Sequence, residues 1–231
     1  RGVSGTNVTL TIVREGVTTP QIFTITRAKI TVPTIDTQIR EADGVFIISL
    51  YNFSAHSVEL FRRAYNEYLS SGYKNLIIDL RGNPGGYLDA AVQIAGMFLP
   101  EGKVIVKEIG KTDKDVVTHT SRGRGVFPKD HKLIILVDKG SASASEILAG
   151  ALSEHNVGTL VGTQTFGKGS VQEIVKLTSD TSLKITVAKW FTPNGISISK
   201  NGLNPKIIIK QGTKKDVDSQ LDEAVKLFSK I

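Results

Sequence analysis

The chain has 231 residues, a formal net charge of +7 and no cysteine, and 40% of it is hydrophobic. That is enough for one large core or two small ones in an ordinary globular composition. The missing cysteines exclude thiol catalysis, disulfides and Cys-based zinc sites; no apolar run reaches the ~18 residues of a membrane span, and no basic stripe with interleaved aromatics suggests nucleic acid.

In chain order, Val8–Arg14 alternates as a strand, Glu15-Gly16-Val17 turns, and Gln21–Ala28 reads as a second strand. Two strands alone cannot hold a core. Residues 29–44 read as a polar connector. Gly44–Leu50 is predicted as a buried strand, Ser57–Leu69 as an amphipathic helix stopped by Gly72, and Leu76–Leu80 as another buried strand, which makes a βαβ unit. Arg81-Gly82-Asn83-Pro84-Gly85-Gly86 follows, then a helix from Leu88 to Phe98. The glycine pair gives backbone freedom and bares N–H groups to an anion; a plain tight turn explains it equally well. Gly102–Val106 is predicted as a strand. Lys107–Lys132, with Arg122-Gly123-Arg124-Gly125 near its centre, is polar and mixed; it reads as a mobile loop, with a surface excursion bordering a substrate channel as the alternative. His56, His119, His131 and His155 lack the spacing of metal ligands, and neither metal nor cofactor is expected.

Leu133–Val137 is a short apolar run, Asp138-Lys139-Gly140 is turn chemistry, and a helix begins at residues 143 to 145. Ser143 therefore stands at a strand–turn–helix junction, where free N–H groups and the helix dipole favour negative charge; the Ala144 N–H could hold an oxyanion there. Ser143-x-x-Glu146 is equally a capping box. Gly162 to Lys168 mimics a phosphate loop, but Gly169 replaces the needed Ser or Thr and a strand pattern follows, so nucleotide binding is rejected. Lys168 is either a solvated turn lysine or a general base. The second role needs a neutral amine, which burial among Leu160, Val161 and Phe166 would favour. In a regular strand Gln172 shares a face with Lys168. No Gly-x-Ser-x-Gly elbow occurs; His155 is the alternative partner for a serine. Val171–Leu177, Leu183–Phe191 and Ile196–Ser199 read as strands, Thr192–Gly195 as a turn and Leu221–Phe228 as a closing helix. The fold class is α/β, with βαβ units and a β-rich finish.

Three stretches then act together. Ser-Ala-Ser-Ala-Ser-Glu-Ile at 141–147, Thr-Phe-Gly-Lys-Gly-Ser-Val-Gln at 165–172 and Asp-Leu-Arg-x-Asn-Pro-Gly-Gly at 79–86 resemble the carboxyl-terminal processing (tail-specific) serine proteases. The resemblance implies Ser143 as nucleophile, Lys168 as general base and Gln172 as the residue orienting it. It implies an oxyanion hole from Ala144 and either Gly85 or Gly86, with Glu154 a minor candidate. Lys206 departs from the family, which has an acid after Gly202-Leu203-Asn204-Pro205. The implied architecture is a crotonase/Clp-protease-like core over 29–231, preceded at 1–28 by the last strands of a truncated PDZ-like domain. The missing part of that domain would grip a substrate C-terminus by strand addition. Implied partners are proteins or peptides with exposed C-terminal tails. The implied location is extracytoplasmic, with an export signal upstream and membrane anchoring through an absent N-terminal segment. Two rival readings stand beside this one: a non-catalytic peptide-binding module that keeps the protease fold, and a crotonase-like acyl-thioester enzyme that needs no Ser–Lys pair.

Overall fold

The computed structural model describes residues 2–30, 33–112, 115–123, 125–212 and 217–230. The chain divides into two units, Arg1–Pro33 and Thr34–Ile231. In the first, β1 (Asn7–Ile12) and β2 (Gln21–Thr26) pair antiparallel, Asn7 opposite Thr26 and Ile12 opposite Gln21. Ile22, Phe23 and Ile25 are exposed on this hairpin.

The second unit is built on alternation. It begins with β3 (Ile35–Arg40), a short 3-10 turn (Glu41–Asp43), β4 (Val45–Leu50), α1 (Ser57–Ser71), β5 (Asn75–Asp79) and α2 (Leu88–Ala95). There follow β6 (Val104–Ile109), β7 (Val116–Thr120), β8 (Lys132–Val137), α3 (Ala144–Glu154) and β9 (Thr159–Gly162). The unit ends with β10 (Ser170–Lys176), β11 (Ser182–Phe191), β12 (Ile207–Ile208) and α4 (Ser219–Leu227). One sheet has the order β12-β9-β8-β5-β4-β3, parallel except for the antiparallel edge β3. Its central strands are apolar on both faces. Phe46, Ile48, Leu50, Leu76, Ile78, Leu80, Leu133, Ile135 and Val137 pack in one core with α1, α2 and α3. Val45, Ile47, Ile77, Ile134 and Leu136 pack on the other face with Ala224 and Phe228 of the α4 segment. This is why these strands read as continuous apolar runs: helices cover both sides. A second, antiparallel sheet has the order β10-β11-β6-β7.

Three expectations are corrected. The connector at 29–44 contains β3, whose Asp, Gln and Arg positions hide a strand that is exposed because it is a sheet edge. The loop expected over 107–132 holds the end of β6 and all of β7, since antiparallel pairing supplies backbone hydrogen bonds where side-chain hydrophobicity does not. Within it, Gly123 and Gly125 press on the carbonyls of Gly96 and Met97, where a Cβ would sit 1.6 and 2.4 Å from the oxygens; Arg124 lies outside the described residues. Ile196–Ser199 makes only an isolated bridge, Ser197 to Phe191.

Arg81 closes the end of β5 over α4. Its guanidinium donates to Asp218 at 2.7 and 2.8 Å and to Asp79, while Asp218 caps α4 by accepting the Leu221 N–H. Desolvation opposes the Arg81 charge, but the two carboxylates outweigh it and the pKa is raised. The Arg81 hydrogen bond in turn holds the Asp218 carboxyl below its ordinary value. A carboxyl depressed in the folded state stabilises above its unfolded pKa, near 3.9, and that contribution is lost as pH falls through the folded value. Urea unfolding followed from pH 6 to 2 should therefore show a steeper acid loss in the wild type than in Asp218→Asn, which is less stable at pH 6.

Candidate active site

β5 and β8 are neighbours in the parallel sheet, so the turns leaving their carboxyl ends lie side by side, where open α/β sheets place ligand sites. These turns carry the Asn83–Gly86 stretch and the serine cluster. Asn83 joins them. It is fully buried; its amide donates to the Leu50 carbonyl at 2.7 Å, and its own carbonyl accepts the Ala142 N–H and the Ser145 hydroxyl, both at 3.0 Å. Gly85 fits where nothing larger could. Its Cβ would lie 2.8 Å from Ser143 Cβ and 2.9 Å from the Ala144 nitrogen.

The three serines separate by environment. Ser141 is buried and donates to the Leu80 carbonyl at 2.8 Å, and buried Ser145 is committed to Asn83. Ser143 is only half-buried and sits at φ 56°, ψ −115°, at the N-cap of α3. A non-glycine residue held there stores strain of roughly 1–3 kcal/mol, a cost that persists only where the surroundings over-determine it.

What over-determines it is Glu146. This carboxylate is wholly buried and accepts four hydrogen bonds. Oε2 takes the Ser143 N–H at 2.8 Å and the Lys168 N–H at 3.0 Å. Oε1 takes the Gly167 N–H at 2.7 Å and the Thr165 hydroxyl. Two nitrogens sharing one oxygen at such lengths are within about 6 Å of each other, so Glu146 holds the backbones of residues 143 and 168 side by side. The lysine loop is pinned from its other side as well. Thr165 and Leu203 bond twice, Lys200 donates its N–H to the Gly167 carbonyl, and Gly167 adopts φ 84° with the Lys200 carbonyl against it. The capping-box spacing was the sequence signal for Glu146, but nothing local showed that its partners lie twenty residues downstream.

The amides near Ser143 also separate. The Gly85 N–H donates to Asn83 Oδ1 at 2.9 Å. Among the described residues, no acceptor takes the N–H of Gly86 or of Ala144. Gly86 is exposed at φ 150° and bridged to Phe53, whose carbonyl would meet a Cβ at 2.1 Å.

Other expectations need correction. Leu160 and Val161 are buried in β9, but Phe166 is 63% exposed and Lys168 itself is exposed, so the lysine is not sheltered as expected. Among the described residues its ammonium has no acid or hydrogen-bond partner. Lys168 precedes β10, and a register shift falls between Val171 and Gln172, so the simple two-residue period does not relate Lys168 to the exposed Gln172. Glu154 is at the far end of α3, about 16 Å along the axis from Ser143, and accepts the Asn194 N–H at 2.7 Å. His155 lies one residue further, with Nε2 bonded to the Val104 carbonyl at 2.7 Å, and cannot serve Ser143. Among the described residues no cluster of three or more His, Asp or Glu could hold a metal ion, and no helix is long and apolar enough to cross a membrane.

A half-buried serine thus stands at a strained strand–helix turn of a parallel α/β core, with the Thr165–Lys168 loop tied to its helix through Glu146. The sequence model of peptidase family S41 matches residues 44–209, and the chain belongs to that family. It is 36% identical over 214 residues to a carboxyl-terminal-processing protease of Synechocystis sp., covering 91% of this chain and 49% of the relative. It is 38% identical over 214 residues to the carboxy-terminal processing protease CtpB of Bacillus subtilis, covering 91% and 44%. The chain thus spans about half the length of these curated relatives. Among solved structures, the photosystem II D1 C-terminal processing protease superposes with a TM-score of 0.76 at 26% identity, over 90% of this chain and 57% of that one.

Two stability outcomes follow from this geometry. Glu146→Ala strands four buried or half-buried donors and should cost roughly 3 kcal/mol or more in urea unfolding. Ser143→Gly relieves the positive φ at the cost of a weak cap, and should raise stability by about 1 kcal/mol; a loss of that size would mean the turn is not strained.

Proposed function

We propose that this chain is the catalytic core of a serine endopeptidase that cleaves proteins near their C-termini through an acyl-enzyme, with Ser143 as nucleophile and Lys168 as general base. The observation that carries it is the shared oxygen of Glu146, which keeps the two residues' backbones adjacent. From that position the flexible stem of Lys168 can bring its amine to the Ser143 hydroxyl. A peptide laid across the exposed lysine excludes water and favours the neutral amine that proton abstraction needs.

Oγ attacks the scissile carbonyl as Lys168 takes its proton. The tetrahedral oxyanion is held by the Ala144 and Gly86 N–H groups, which no acceptor takes among the described residues. Gly85 serves instead by leaving room: with no Cβ it lets this turn close on Ser143. Lys168 returns the proton to the leaving amine, and water repeats the sequence on the ester. Gln172 is assigned to orient Lys168 once the loop has closed on substrate. Glu154 is assigned to the Thr192–Gly195 turn rather than to chemistry. The strain at Ser143 supports an enzyme over a binding module, which has no use for it, and a crotonase-like acyl-thioester enzyme needs no such serine.

In the same reading residues 1–28 are the last strands of a PDZ-like domain whose remainder selects C-terminal tails, and the protein works outside the cytoplasm.

The test is cleavage of an unstructured protein with an apolar C-terminus. Ser143→Ala should abolish fragment formation while leaving the protein folded. Lys168→Ala should be equally inactive, and Lys168→Arg should not restore activity, because a guanidinium stays protonated. Full proteolysis by Ser143→Ala, or an active arginine variant, would refute the assignment.

A further inference from the structure

The parallel sheet ends in two edges, and they differ. β12 is two residues long, and so short a strand offers little for another chain to pair with. β3 is six residues long, with no proline, no lysine and an unbroken register along β4. In the second sheet the outer pairs β6–β7 and β10–β11 both carry register shifts. Among the described residues β3 is therefore the one long, regular edge of the second unit. We propose that it pairs antiparallel with β3 of a second copy of this chain, joining two sheets about a two-fold axis at Gln38. The proposal is independent of the peptidase reading.

The backbone gives the first argument. The Tyr51 N–H donates to the Thr34 carbonyl at 2.9 Å, so these two residues form a hydrogen-bonded pair. Such pairs alternate along an antiparallel ladder. Asp36, Gln38 and Arg40 therefore turn their N–H and C=O groups toward β4, and Ile35, Thr37 and Ile39 turn theirs outward. Among the described residues no strand takes up that outward row.

The side chains fix the register. Outward residues must face outward residues, so the two-fold axis of a symmetric pair falls on one of residues 36 to 39. At 36, Asp36 faces its own copy. At 37, Asp36 faces Gln38, and at 39, Arg40 faces Gln38. Only at 38 does Asp36 of each copy face Arg40 of the other, so that opposite charges meet twice. Both groups have a bond to spare among the described residues. Arg40 gives Nε to Asp43 and Nη1 to Asp222, which leaves Nη2. Asp36 accepts the Tyr51 hydroxyl on Oδ2, which leaves Oδ1. On the opposite face of the joined sheet the exposed Ile39 meets Thr37, a β-branched pair on each side of the axis. Six residues a side are few against the ~1,200 Å² or more of a standard interface, so the dimer is weak and depends on concentration.

Sedimentation of the whole chain over a concentration series should show the mass rising toward that of two chains. The Thr37 and Ile39 amides should exchange more slowly as it does, and those of Asp36 and Gln38 should not change. Thr37→Pro removes an outward N–H and should weaken the dimer roughly tenfold or more, with the urea midpoint of the monomer nearly unchanged. Gln38→Pro removes a bond to β4 and should lower that midpoint instead. The chain has no cysteine, so single cysteines report the register. Gln38→Cys sets two thiols across the axis with their Cα atoms about 4.5 Å apart, within disulfide range, and should crosslink under mild oxidation. Thr37→Cys, opposite Ile39, should not. A mass that stays that of one chain at every concentration overturns the proposal; if the 37 and 39 amides of that monomer already resist exchange, another part of the chain covers the edge. A dimer that survives Thr37→Pro, or equal crosslinking by the two cysteine variants, overturns it as well.

Discussion

The fold of this site depends on one buried carboxylate. Glu146 sits in the first turn of α3, where it would ordinarily cap its own helix, and it does accept the Ser143 N–H. Its other bonds reach the Thr165–Lys168 loop. A carboxylate removed from water is tolerated only when its lone pairs are met. Here the donors that meet them belong to two segments far apart in sequence, the Ser143 turn and the Thr165–Lys168 loop. The same interaction therefore satisfies a local end of a helix and fixes residue 143 beside the Thr165–Lys168 loop.

The surrounding contacts serve that arrangement. Asn83 ties the glycine turn to the serine turn from beneath, and Gly85 lets the two backbones touch. The Gly85 amide is committed to Asn83, while among the described residues no acceptor takes the Gly86 or Ala144 amide. Ser143 is held at a positive φ by neighbours that are themselves fixed. Rigidity is concentrated in the backbone, while the Lys168 side chain remains in solvent.

Much of this was legible in the sequence where local pattern and tertiary role coincide. The strands Gly44–Leu50, Leu76–Leu80 and Leu133–Val137 read correctly because both their faces are covered, and α1 and α2 because one stripe of each is apolar. Ser143 was legible as a helix start. The failures have a common cause in interactions that sequence spacing does not encode. β3 and β7 owe their existence to pairing partners, not to apolar alternation. The shelter expected for Lys168 was inferred from neighbours in sequence, yet Leu160 and Val161 pack into the cores on the two faces of the sheet, and β9 ends at Gly162, before the lysine loop. The relation of Lys168 to Gln172 assumed a regular strand, which the register shift at Val171/Gln172 interrupts. Glu146 was visible only as half of a capping box.

The most direct test of the account is a crystal structure of the chain acylated by a peptide carrying a reactive carbonyl. The account predicts an ester on Ser143 Oγ, the carbonyl oxygen between the Gly86 and Ala144 amides, and the Lys168 amine turned in to hydrogen-bond distance of Oγ. An adduct on another residue, or an adduct on Ser143 with the lysine still in solvent and the oxygen away from both amides, would contradict it.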